Sequence, residues 1–195
     1  MDKIFQWLDK SRIILIVYIL VSISILAFGI QYYFIQKREA KSKVEDELKS
    51  IAELKVSEIE TWLREKYADA QSFALIPNTQ NQFESFIINN DRESYNALLQ
   101  KIEIVKELYH YKDVILIDTL GTVKISTTND VISVNETIKK LLVKVTDLKE
   151  PVISDLYWCA FHKAIHLDFI APFYSSQNYK EKKLGFIILR VDPHT

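Results

Sequence analysis

Cysteine occurs once, at Cys159, methionine once, glycine three times and proline four times in 195 residues. A single thiol excludes an internal disulfide and leaves the redox compartment unreadable. Scarce glycine and proline leave no low-complexity linker and no Gly-rich phosphate loop, and neither a G-x-S-x-G elbow nor an H-E-x-x-H helix is present. Charge of one sign is not in excess: 25 basic residues stand against 26 acidic ones, a net charge of −1. No general attraction to nucleic acid follows from that balance, and no nucleic-acid partner is expected.

One absence is local. From Ile13 to Ile35, 23 residues pass without an Asp, Glu, Lys or Arg. As a helix this run spans roughly 35 Å, enough to cross a hydrocarbon core of about 30 Å. Ser22, Ser24 and Gln31 interrupt it, but serine can bond its own helical backbone and Gln31 lies near the end. Trp7 on one side and Tyr32 and Tyr33 on the other take the interfacial positions that amphipathic rings prefer. A cleaved signal peptide is the rival, with Ala27-Phe28-Gly29 as a small-x-small site. The apolar run continues beyond that site through Ile35, which favours an uncleaved membrane anchor. Lys3, Lys10 and Arg12 precede the span, and Lys37, Arg38, Lys41 and Lys43 follow it. By Lys/Arg count alone the C-terminal side would face the cytoplasm, although long domains can translocate regardless of flanking charge.

Between Gly29 and Pro77 neither Gly nor Pro occurs, and Glu, Lys, Ala and Leu abound, so the membrane helix is expected to run on into a long helix over 36–77. Leu48, Ala52, Val56, Ile59, Leu63, Tyr67, Ala70 and Ala74 recur at steps of three and four, with 48, 59 and 70 eleven apart. This is one apolar stripe on a nearly straight helix. The part before about residue 56 is assigned to a second subunit, around Val44, Leu48 and Ile51, and the rest to the chain's own domain.

Asn78 to Asn90 reads as a short helix or turn region edged by Phe83, Phe86 and Ile87. Asp91 is a plausible N-cap for a second helix whose face is Tyr95, Leu98, Leu99, Ile102, Val105 and Leu108. The period then changes. Asp113 to Asp118 and Thr122 to Thr128 read as a hairpin turning at Thr119 to Gly121. Asn135 caps a helix through about Val145, and three strands follow, Pro151 to Trp158, Ala164 to Pro172 and Leu184 to Val191, the last two joined by the polar loop Ser175 to Lys183. The order describes an α+β chain: a five-stranded antiparallel sheet flanked by helices.

That order resembles the Cache domains, the PAS-like extracytoplasmic sensors of membrane signalling proteins. The likeness rests on four stretches. They are the helix from Leu54 through Ile59, Trp62, Glu65, Asp69 and Ala70; the hairpin Val114 to Asp118 with Gly121, Ser126 and Thr127; the strand entry Ile153 to Tyr157; and the pair Ile165 to Pro172 with Gly185 to Pro193. The resemblance covers nearly everything after the membrane helix. It implies an inner-membrane, single-pass receptor, with residues 1–12 cytoplasmic, 13–35 in the membrane, 36–77 a juxtamembrane helix and 78–195 an extracytoplasmic sensor domain forming a parallel homodimer. It points to the front of a sensor histidine kinase, with the sensor region of a diguanylate cyclase or a chemoreceptor as alternatives. No kinase or cyclase module lies within these 195 residues, no catalytic residue is assigned, and the chain reads as the front of a receptor, either a fragment or a truncated gene product. The Tyr, Arg, Trp and Asp pattern of amino-acid-sensing members does not align, which leaves the ligand open.

Strand alternation supplies the candidate site. Over Ala164 to Pro172, Ile165, Leu167, Phe169 and Ala171 share one face and His166, Asp168 and Ile170 the other. The apolar face should meet the long helix. The opposite face is where the resemblance places a small-molecule ligand, with His166 and Asp168, Asp155, Tyr157 and Trp158 on the preceding strand, and Ser126 and Thr128 on the second strand as contacts, beneath a cover formed by Asp130 to Leu148. Read as a half-exposed face, it should tolerate Asp168→Ala or Tyr157→Ala with little loss of stability. Alternation alone also fits a solvated face with no ligand, in a membrane-anchored structural or interaction module. Cys159, His162, His166 and Asp168 are ligand types for zinc, but residues four apart on a strand do not surround one ion, so no metal or other cofactor is expected.

Overall fold

The computed structural model describes residues 2–128, 134, 136–145, 149–159, 163–175 and 182–192, with 2–12, 144 and 145 through their backbone alone. Asn135, His162, most of the Ser175 to Lys183 loop and parts of the Asp130 to Leu148 cover therefore lie outside the described residues. Two compact units are present, Met1–Ile59 and Glu60–Thr195.

The first unit belongs to α1, Asp2–Leu75. Its run 13–35 is long and apolar enough to cross a membrane. Ser22 and Ser24 donate to the carbonyls of Tyr18 and Leu20, 2.9 and 2.8 Å away, so neither hydroxyl is left unbonded in an apolar setting. Beyond the run, Val44, Leu48, Ile51 and Ile59 are all exposed.

In the second unit the same helix is buried. Ala70, Phe73 and Ala74 enter the core, and Trp62, Leu63 and Tyr67 pack against it. The helix ends because Pro77 follows: Ile76 is forced into an extended conformation, and Pro77 opens α2, Pro77–Asn89, at a position where its missing N–H costs nothing. Asn90 closes α2 in the left-handed region. Asp91 caps α3, Arg92–Tyr109, by accepting from the backbone N–H groups of Glu93 and Ser94, and His110 closes it, again left-handed.

The sheet follows. Strand β1, Asp113–Asp118, turns into β2, Val123–Ser126, through a loop in which Asp118 Oδ1 accepts from the N–H groups of Leu120 and Thr122, each at 2.9 Å, and Gly121 takes φ +80°. Burial alone would raise the Asp118 pKa, but these N–H groups and Lys124, 3.1 Å away, hold it below the usual carboxylate range. Helix α4, Glu136–Val145, precedes β3, Val152–Ile153, β4, Tyr157–Cys159, β5, Ala164–Tyr174, and β6, Lys183–Val191. The order is β2-β1-β6-β5, with β3 and β4 both pairing the outer edge of β5, and all pairs are antiparallel.

The expected strand Pro151 to Trp158 is thus one edge strand broken in two. Ser154 sits in the gap, its N–H donating to the Asp168 carbonyl and its Oγ accepting from the Asp168 N–H, both at 2.9 Å. Asp155 and Leu156 leave the strand and are exposed, so the alternation that placed Asp155 beside Tyr157 does not hold across the break.

Each face of the sheet is covered. On one, Val114, Leu116, Phe169, Ala171, Phe173, Ile187 and Leu189 meet α1, α2 and α3; the Trp62 and Phe169 rings cross edge-on at 6.0 Å, as expected for the long helix. On the other, Ile115, Ile117, Ile170, Phe186 and Ile188 meet Ile138 and Leu142 of α4. Gly185 on β6 is dictated by packing, because a Cβ there would stand 2.1 Å from the Ile117 carbonyl oxygen.

Candidate functional site

The α4-side face is apolar except at one end, where three adjacent central strands each contribute a charge. Register places Arg190 of β6 directly opposite Asp113 of β1 and Asp168 of β5. Arg190 is 3% exposed, Asp113 2% and Asp168 0%. Arg190 grips Asp168 side-on, Nε donating to Oδ1 and Nη2 to Oδ2, both at 3.1 Å, the paired geometry that suits a planar guanidinium. The Tyr157 hydroxyl, brought in by β4, donates to Asp168 Oδ2 at 2.6 Å and accepts from Arg190 Nη2 at 3.0 Å. Burial would lower the Arg190 pKa, but the carboxylate of Asp168, its hydrogen bonds, Tyr157 and the charge of Asp113 together raise it. Burial and the Asp168 charge push the Tyr157 phenol up, so it stays protonated and available as a donor.

Asp113 is held differently. Its Oδ1 accepts from Thr127 Oγ1 at 2.6 Å and Ser126 Oγ at 3.1 Å, and its Oδ2 from Thr128 Oγ1 at 2.8 Å. The two threonine hydroxyls thus hold the carboxylate, while the single Ser126 proton is shared between Asp113 and the Thr128 carbonyl, 2.8 Å away, and Thr127 Oγ1 also accepts from the Val114 N–H at 3.0 Å. His166 is buried across from Tyr157 on β5, the two rings edge-on at 6.0 Å.

Of the residues named from sequence, Tyr157, His166 and Asp168 come together, and Ser126 and Thr128 gather on Asp113, whose strand partner Arg190 joins the two groups. Asp155 and Trp158 do not join them: Asp155 is exposed in the edge-strand gap, and Trp158, 61% exposed, alternates away from Tyr157. The expectation of a half-exposed face is overturned. Tyr157 is 7% exposed and His166 and Asp168 are fully buried, because α4 covers this side of the sheet. Truncating Asp168 therefore leaves a buried guanidinium without its partner and is not mild.

Sequence reading missed Asp113, Arg190, Thr127 and Ser154. Arg190 left a signal, as the one charge between Leu184 and Val191, where a run buried on both faces should carry none. Asp113 reads in the sequence only as the boundary of an apolar strand. The cluster combines a donor-rich guanidinium, two carboxylates and several hydroxyls, groups that bind and orient a polar ligand. Among the described residues no three His, Cys, Asp or Glu side chains gather as a metal set.

No family model matches the chain, and no curated protein matches it in sequence. Solved structures do match in fold. The sensor domain of the V. cholerae histidine kinase DctB is 15% identical with a TM-score of 0.55, covering 70% of this chain and 51% of that one. The ligand-binding domain of the Pseudomonas aeruginosa PAO1 amino acid chemoreceptor PctC, in complex with GABA, is 14% identical with a TM-score of 0.52, covering 77% and 62%. The sensory domain of the Campylobacter jejuni chemoreceptor Tlp3 is 12% identical with a TM-score of 0.51, covering 70% and 54%. The chain thus spans between 51% and 62% of the length of these domains. Its α+β fold is that of the Cache-type sensor domains.

Proposed function

We propose that this chain is the ligand-sensing region of a membrane signal-transduction receptor. Residues 13–35 anchor it in a cell membrane, 1–12 face the cytoplasm, and the sheet domain lies outside. The observation that carries the sensing role is the buried row Asp113, Arg190 and Asp168. Desolvating three charges costs several kcal/mol per ion that hydrophobic side chains would avoid, so a row placed in an otherwise apolar core calls for a purpose beyond stability. The ligand is a small polar or charged metabolite, bound beside Tyr157, His166 and Asp168 and the Ser126 to Thr128 hydroxyls, beneath the α4 segment. Asp155 and Trp158 would touch only the part of a ligand that reaches the sheet edge. The fold is shared with a kinase sensor domain and with chemoreceptor domains, so the proposed parent is a sensor histidine kinase or a chemoreceptor. Catalysis is assigned to neither face of the sheet. Signalling through a parallel homodimer would use Val44, Leu48 and Ile51, and single cysteines along 41–51 should then cross-link with a helical period.

A second reading, an anchored interaction module with no ligand, draws on a different observation: Asp168 and Asp113 already have partners for both carboxylate oxygens. A thermal-shift screen of the full chain in micelles separates the two, using amino acids, small amines and small carboxylates. A ligand at a hundredfold excess over its Kd stabilises the fold by about 2.7 kcal/mol. Ser126→Ala and Tyr157→Phe, which leave the Arg190–Asp168 pair intact, should each reduce that shift. A hit whose shift survives both substitutions moves the site elsewhere, and a panel without a hit favours the interaction module.

A further inference from the structure

The segment just beyond the apolar run carries charge that the sensing role does not use. Lys37, Arg38, Lys41 and Lys43 fall within seven residues of one another, with Glu39 as the single acid among them, and all are exposed on α1. Lys37 and Lys41 are one helical turn apart and share a side. Lys41 lies 3.5 Å from Glu45, both side chains well exposed, and among the described residues no acid stands within 4 Å of Lys37, Arg38 or Lys43. Exposed pairs of this kind hold little free energy and leave the lysine available.

Distance fixes what this collar faces. At 1.5 Å per residue, Lys37 stands roughly 3 Å beyond Ile35 and Lys43 roughly 12 Å. The polar headgroup layer is on the order of 5–8 Å deep on each side of the hydrocarbon, and long basic side chains can reach back toward it. Tyr32 and Tyr33, 66% and 60% exposed, mark the same level as interfacial rings. Four cations on this flank also oppose the orientation proposed above, since the Lys/Arg-richer flank tends to stay cytoplasmic.

We propose that Lys37, Arg38, Lys41 and Lys43 form a basic collar that binds the headgroups of anionic phospholipids. The collar rests on the anchor reading but not on the ligand or on the side of the membrane. The 195-residue chain in lipid nanodiscs, probed with spin-labelled phosphatidylglycerol and phosphatidylcholine, tests it. The motionally restricted fraction should favour phosphatidylglycerol several-fold at low ionic strength, and the preference should fall toward unity near 0.5 M salt, where the Debye length is only about 4 Å. Replacing the four residues together (Lys37→Gln, Arg38→Gln, Lys41→Gln, Lys43→Gln) should abolish it, whereas Lys3→Gln with Lys10→Gln and Arg12→Gln should keep most of it. No preference in the parent chain, or a preference that follows the N-terminal triad instead, overturns the collar. Thiol labelling of Ser42→Cys from outside intact cells reads the orientation separately, so failure of the topology and failure of lipid binding give different results.

Discussion

The two faces of one sheet are equally buried and built on opposite principles. Toward α1, α2 and α3, contact is made by aromatic and aliphatic side chains, with Phe169 against Trp62 and Phe173 against Phe83, ring centroids 6.0 and 4.8 Å apart. Toward α4, aliphatic contact gives way at one end to a guanidinium, two carboxylates and a phenol. The first arrangement stabilises without direction, in proportion to area. The second depends on every partner being present, and losing one is worse than losing all. Burial alone therefore says little about what a residue is for.

The largest effects should come from single truncations on either face, and a rescue should tell the faces apart. Phe169→Ala is expected to lower the unfolding free energy by about 3–5 kcal/mol in urea titrations, since it empties a fully buried ring site. Asp168→Ala should cost about the same, for the different reason that Arg190 stays buried and unpaired. Converting the bonded group together, Asp168→Leu with Arg190→Met and Tyr157→Phe, should return stability to within about 1–2 kcal/mol of the parent, since no buried hydroxyl is orphaned and Asp113 keeps its threonine donors. If the triple variant is as unstable as the single one, the two faces do not differ in this way.

Smaller effects come from pH, with one phenol per face. Tyr111, whose hydroxyl donates to Asp69 Oδ2 on α1 at 2.8 Å, is pushed up first by burial and then by Asp69; Tyr157 is pushed up by burial and Asp168. A folded pKa raised above the unfolded value near 10 means that stability is intact below that value and is lost as pH rises through the folded pKa. Each phenol should contribute a slope of about 1.4 kcal/mol per pH unit above pH 10. Tyr111→Phe and Tyr157→Phe should each remove one share, measured as melting temperature between pH 9 and 11. Equal slopes in parent and variants would refute the burial argument for both. At the small end, Trp158→Ser should change stability by less than about 0.5 kcal/mol, because the ring lies outside both cores.

How much of this was legible in the sequence follows from the same contrast. Periodicity exposed the long helix, the Asp91 cap, the β1–β2 hairpin and the alternation of Leu167, Phe169 and Ala171 against His166, Asp168 and Ile170, since each depends on local spacing. It could not give the depth of the second face, which depends on α4 packing across residues far apart in the chain. Nor could it pair Arg190 with Asp168 or bring Asp113 to the same row, because strand register is set between strands. The break at Ser154 was invisible for a related reason: its bonds go to Asp168, fourteen residues away. Alternation shows Ser126 and Thr128 as a polar row, but their common partner Asp113 lies across the hairpin.

The interrupted edge has a consequence for self-association. Open sheet rims template pairing with other chains, and long flat rims are the hazard. Here one rim is β2, four residues with Lys124 exposed on it, and the other is split into segments of two and three residues by the gap at Ser154 to Leu156. Among the described residues neither rim offers an incoming strand more than four consecutive residues to pair with, so crowded copies have little on these edges from which to grow a shared sheet.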